Sequence, residues 1–146
     1  MEYSKSNEEV LSEIYRNAQL ALTSISDILP EVEDEEIKQE ILRQHEEYER
    51  VSSKACLLAK EKGQELKEPG AIKKAMMWTG IKMNAMKDGG KQHIAEMMIQ
   101  GTVMGITALK QSKTDSQGLL SPEVDSLLNE LISLEEGFEE KYKEFL

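Results

Sequence analysis

The chain has 146 residues, a net charge of −10, one cysteine and 39% hydrophobic residues, enough to bury a core as one domain over 1–146 without staples. A lone cysteine excludes an intramolecular disulfide framework, the charge opposes a nucleic-acid partner, which needs clustered cations, and no uncharged run approaches the roughly 20 apolar residues of a membrane span. The N-terminal MEYSKSNEEV has neither the basic nor the apolar region of a secretory signal, so the expected setting is cytoplasmic.

Apolar residues recur at intervals of three and four through long stretches and seldom alternate with period two, which predicts an all-α chain. The first helix is expected over about 7–29, with Leu11, Ile14, Ala18, Leu22, Ile25 and Leu29 on one stripe. Ser6 and Glu9 read as a capping box at its start, and Pro30 stops it. The second is expected over about 34–62, with Ile37, Ile41, Tyr48, Val51, Ala55 and Leu58 inward. Acids crowd its first turn and Gly63 follows its last lysine, as the helix dipole and a glycine C-cap favour. Cys56 lies near that stripe and is read as a small buried apolar residue.

A segment over about 71–86 follows the Glu68-Pro69-Gly70 break with a helical pattern of its own. Between Gly70 and Lys91, five lysines stand against one acid, a local +4. That basic segment is expected to lie against acidic helices of the same or a neighbouring subunit. A third long helix, about 91–112, starts after Asp88-Gly89-Gly90. The fourth, about 122–145, has Ser121 as N-cap and Pro122 at the first helical position. Its stripe is Val124, Leu127, Leu131, Leu134, Phe138, Tyr142 and Phe145.

Short loops near 30–33 and 113–121 join these helices into two antiparallel hairpins, and the 25 residues between Gly63 and Gly89 form a long crossover between them. A shift of 90 places Ile41, His45, Tyr48 and Ser52 on Leu131, Glu135, Phe138 and Tyr142 in the same helical phase, a suggestion of two related hairpins.

Hairpin, crossover, hairpin, with a histidine and acids near the inner faces: this resembles the ferritin-like superfamily. The third helix carries His93-Ile-Ala-Glu-Met-Met-Ile-Gln-Gly-Thr-Val-Met-Gly105. In this it is similar to a group of small bacterial proteins with an HIAEM-x-IQG-x-x-MG stretch, to which no activity is assigned, and the similarity covers most of the chain. The resemblance implies a four-helix bundle with a crossover. Di-iron members of the superfamily take a Glu from each of two helices and a Glu-x-x-His from each of the other two. This chain departs from that pattern. Leu42 stands where a Glu should precede His45, His93 and Glu96 come in reversed order, and the fourth helix has no histidine.

An ordinary ferroxidase site is therefore not expected, and no cofactor is. A non-standard single-ion site remains as the alternative, built on His45, Glu135 and Glu49, with His93 and Glu96 as further candidates; iron, manganese or zinc would be its metal. The preferred account is plainer. His45 is a boundary residue bonded to a neighbouring carboxylate, and His93, Glu96, Gln100 and Thr107 form a solvent-facing strip.

Seven of the eight methionines lie between Met76 and Met104 and are read as adaptable core packing. Gly101 and Gly105 have the spacing that lets another backbone approach closely, each glycine costing about 1 kcal/mol against alanine unless packing compensates. The third helix and the crossover are apolar on a second side, where Ile99, Val103, Ile106, Met77, Trp78 and Ile81 predict a homodimer interface. The rival account of that side is a basic amphipathic helix resting on a membrane surface. No nucleophile–base set or phosphate loop is apparent. The sequence thus points to a non-catalytic interaction or ligand-binding bundle, with a metal-binding ferritin relative and a peripheral membrane binder as alternatives.

Overall fold

A computed structural model describes residues 5–68 and 88–146. The expected crossover helix over 71–86, and with it Met77, Trp78 and Ile81, lies outside those residues. Among the described residues there are four long helices and no strand: α1 (Asn7–Ile28), α2 (Glu35–Glu61), α3 (Lys91–Asp115) and α4 (Pro122–Lys143). None of them is long and apolar enough to cross a membrane.

The helices begin where their capping chemistry dictates. Ser6 Oγ accepts from Glu9 N at 3.1 Å while the Glu9 carboxylate accepts from Ser6 N, which satisfies two otherwise orphaned donors. Asp34 accepts from Ile37 N at 2.9 Å to open α2. Ser121 accepts from Val124 N ahead of Pro122 to open α4. Pro30 converts the end of α1 into a single 3-10 turn, Leu29–Glu31, because it has no N–H to continue the ladder. Gly63 closes α2 at φ +69°, and Gln64 N then reaches back to Ala59 O at 2.8 Å, the left-handed glycine ending that satisfies late carbonyls.

The expected stripes form the core. Leu11, Ile14, Ala18 and Ile25 of α1 and Ile37, Ile41, Tyr48, Val51 and Ala55 of α2 are buried. From α4 come Val124, Leu127, Leu131, Phe138 and Tyr142, and from α3 Ile94, Ala95 and Leu109. Cys56, expected inside, is exposed. The buried positions of its turn are filled by Ala55 and Ala59, and Cys56 lies about 100° round the helix from Ala55. Ile106, expected on an outer face, is buried at 8% exposure, whereas Val103 beside it is 40% exposed.

The pairs α1–α2 and α3–α4 make the most extensive contacts, and α4 meets both α2 and α1 while α3 meets α1. At the start of α1, Lys5 N donates to Asp115 O, Lys5 Nζ pairs with Glu13 at 2.8 Å, and Glu13 accepts from Ser112 Oγ. Asn7 Oδ1 accepts from Ser121 N at 2.9 Å, and Gln64 Nε2 donates to Glu8 O. At the far end, Glu33 N donates to Gly89 O at 2.9 Å. Tyr15 Oη and Gln19 Nε2 both donate to Glu68, which ties the chain after α2 to the middle of α1.

Two glycines make opposite demands. A Cβ on Gly89 would lie 2.2 Å from Glu31 O, a backbone atom that cannot move without shifting the α1–α2 turn. Gly101 is exposed, and a Cβ there would meet nothing within 4 Å among the described residues. Urea unfolding should therefore show Gly89→Ala less stable by about 1–3 kcal/mol through overpacking and Gly101→Ala more stable by about 0.5–1 kcal/mol through helix propensity.

Candidate functional site

Glu135 falls four residues after Leu131 and three before Phe138, so the apolar phase of α4 turns it inward. It is 2% exposed. Tyr48, buried in the same phase of α2, donates its hydroxyl to Glu135 Oε2 at 2.8 Å. Among the described residues, the other carboxylate oxygen, Oε1, has no hydrogen-bond partner. From α1, Asn17 Nδ2 donates to Gly105 O at 3.3 Å, while Asn17 Oδ1 is buried and likewise unpartnered. From α3, Gly105 leaves the space that the carboxylate uses. A Cβ on it would stand 3.0 Å from each Glu135 oxygen and 3.3 Å from Asn17 Nδ2. All four helices thus reach one polar level inside the bundle.

Among the described residues, the close approach expected at the two glycines of α3 is seen at Gly105, and against a carboxylate rather than a backbone. Gly101, one turn earlier, is exposed.

Burial dominates the electrostatics. It pushes the Glu135 carboxyl from its ordinary 4.5 up to about 7, against the opposing pull of the Tyr48 hydrogen bond. The Tyr48 phenol is pushed well above its ordinary value by burial first and then by the neighbouring carboxylate. Tyr142, two turns along α4, is also pushed up by burial and by Glu40, with Arg43 acting the other way, and its hydroxyl has no partner.

Glu40 offers the contrast. It too is buried, but it accepts from Arg43 Nε at 3.0 Å, Arg43 Nη2 at 2.5 Å and Gln44 Nε2 at 2.8 Å. Charge-assisted bonds of that kind satisfy a buried carboxylate on both oxygens, where Glu135 has a single phenol. Phe138 meets a partner of each carboxylate. Arg43 sits over its ring at 5.8 Å, and Tyr48 meets it edge-on with centroids 5.3 Å apart. Tyr48 and Phe138 are also the positions that the shift of 90 superposes.

The other candidate ligands are elsewhere. His45 Nδ1 pairs with Glu49 Oε1 at 2.8 Å, one turn along the same helix, with their side chains 28% and 59% exposed. The inward positions beside His45 are taken by Gln44 and Tyr48. Glu96, Gln100 and Thr107 are exposed and His93 is half-buried. Among the described residues, no group of three or more His, Cys, Asp and Glu side chains is placed to hold a metal ion. The groups gathered around Glu135 are the Tyr48 phenol, the Asn17 amide and the Gly105 backbone, and neither His45 nor a second carboxylate is among them.

Asn17 is the residue that sequence reasoning missed. It lies three after Ile14, on the edge of the α1 stripe, where a polar side chain gives no sign of facing in or out. In comparisons with protein-family models, curated proteins and solved structures, nothing matches the chain.

The raised carboxyl has a stability signature of definite sign. Between pH 4.5 and about 7 the folded chain holds a proton on Glu135 more tightly than the unfolded chain does. That contribution is fully present below the unfolded value and lost as pH rises through the folded one. Glu135→Gln, neutral throughout, should become more stable relative to wild type across this window, by up to about 3 kcal/mol at pH 8. Urea titrations of both proteins at pH 4.5, 6 and 8 read the difference; a gap that stays constant with pH would show that the carboxyl does not titrate there.

Proposed function

We propose that this chain is a non-catalytic ligand-binding bundle of ferritin-like topology, with the level formed by Asn17, Tyr48, Gly105 and Glu135 as its site. The observation that carries the reading is the buried carboxylate with one unpartnered oxygen at a level reached by all four helices. Ligand sites in helical bundles are built in this way, from side chains that converge in the core from facing helices. A buried acceptor without a donor costs free energy. Natural chains tolerate such a cost where function requires it.

The topology has its own support. Gln64, just past α2, touches the first turns of α1 at Glu8 and Ser12, whereas Gly89, just before α3, lies against Glu31 and Glu33 beyond the far end of α1. A connection with its two ends so placed is what a crossover between two antiparallel hairpins requires.

If the level is a ligand site rather than a structural network, an apolar replacement of the bonded pair should stabilise the protein. Tyr48→Phe with Glu135→Met removes donor and acceptor together, the change that is neutral or favourable when a pair serves no structural purpose. Urea unfolding at pH 8 should show the double variant at least as stable as wild type. A loss of more than about 2 kcal/mol, in the range of a disrupted structural network, would overturn the reading.

A second copy of the chain is the proposed partner. Met104 at 73% and Val103 at 40% exposure leave an apolar strip on the outside of α3, with Ile99 half-buried beside it; Ile106 belongs to the core and not to this strip. Light scattering at micromolar concentration should give twice the 16.5 kDa chain mass, and Met104→Glu should return it to the single mass.

A further inference from the structure

The mid-bundle level has an excess of acceptors. Among the described residues, Glu135 Oε1 and Asn17 Oδ1 are both buried and both without a donor; the Tyr48 hydroxyl proton is given to Oε2, and above about pH 7 Glu135 has no proton of its own to share. Among the described residues, no positive charge reaches the level either. Arg43 is engaged by Glu40, His45 by Glu49, and the polar group acting on Glu135 is the neutral phenol of Tyr48. What would complete the site is a species that brings N–H or O–H donors together with a single positive charge.

We propose that the level takes a small primary amine in its ammonium form, with its N–H groups on Glu135 Oε1 and Asn17 Oδ1. This rests on the ligand-binding reading above and names the chemical class. A divalent ion would leave an uncompensated positive charge in a low-dielectric core, and calcium or magnesium takes six or more oxygen ligands. An ammonium neutralises one carboxylate and makes directional, charge-assisted hydrogen bonds to both free acceptors. Gly105 supplies the approach. It is half-buried, Ala108 beside it is exposed, and no side chain of its own stands between solvent and the carboxylate. The depth of Glu135, 2% exposed, selects a slender free amine over a lysine presented by a folded partner.

The test is the thermal midpoint of the whole chain at pH 8, where a carboxyl pushed up to about 7 is ionised, in methylammonium, tetramethylammonium and potassium chlorides at equal ionic strength. Methylammonium should raise the midpoint saturably, as a ligand of the folded state does. Tetramethylammonium, which has the charge but no N–H, should not, and potassium should not. Glu135→Gln should weaken the effect at least about tenfold, and Asn17→Leu, which keeps the Tyr48–Glu135 bond, should weaken it too. An equal rise with potassium that depends on Glu135 would overturn the amine assignment in favour of an alkali ion. No rise with methylammonium, or one that survives in Glu135→Gln, would overturn it outright. The ligand-binding reading would still stand if the Tyr48→Phe, Glu135→Met double variant proved as stable as wild type, and would fall with the amine if it did not.

Discussion

The middle of the bundle is arranged around one hydrogen bond, from the Tyr48 hydroxyl to Glu135. Glu135 shares its helical phase with Leu131, Phe138 and Tyr142, all buried. Turning α4 to release the carboxyl into water would bring those side chains out with it, since positions three and four apart move as one face. The carboxyl is therefore held inside by its neighbours on the helix rather than by its own bonding. Each facing helix adjusts to it: α2 offers a phenol, α1 an amide, and α3 a glycine whose missing Cβ leaves room for both oxygens.

Two buried carboxylates in the same core show how differently such a group can be accommodated. Glu40 is served by Arg43 and Gln44, three and four residues along its own helix, so its partners arrive with the helix itself. The Arg43 guanidinium goes further and covers the Phe138 ring, linking α2 to α4. Glu135 depends on a partner 87 residues away that is in place only once the bundle has closed. The first carboxylate is thus satisfied by local structure. The second is satisfied only in part, and by tertiary structure.

The same division explains what was legible in the sequence. Signals confined to a few neighbouring residues located the helix ends well: Ser6 with Glu9, Asp34, Pro30, Gly63, and Ser121 with Pro122 all cap or stop helices as their chemistry requires. Where no such signal stood, the boundary moved, and α3 continues to Asp115, past the expected end near residue 112. The inward phase of Glu135 was legible because the α4 stripe is unambiguous. The role of Asn17 was not, because a polar residue at the edge of a stripe serves a core network and a solvated face equally well. Gly101 and Gly105 look equivalent in sequence, yet four residues advance a helix by about 40° beyond a full turn, and among the described residues only Gly105 meets a neighbour. Cys56 failed for a similar reason: small alanines on either side of it carry the buried positions of α2.

The tight contacts between α1 and α3 lie at the two ends of the bundle. At one end Lys5, Glu13, Ser112 and Asp115 knit the start of α1 to the end of α3, and Asn7 fastens the start of α4. At the other, Gly89 is seated against Glu31 and Glu33 with no room for a side chain. Between them, among the described residues, the one hydrogen bond from α1 to α3 is the 3.3 Å bond from Asn17 to Gly105 O, long for an N–H donor. Widening the α1–α3 seam at that level would break this one bond and leave both ends fastened. Hydrogen bonding across the α1–α3 seam is therefore sparsest at the level of Glu135, with its firmer fastenings at the two ends.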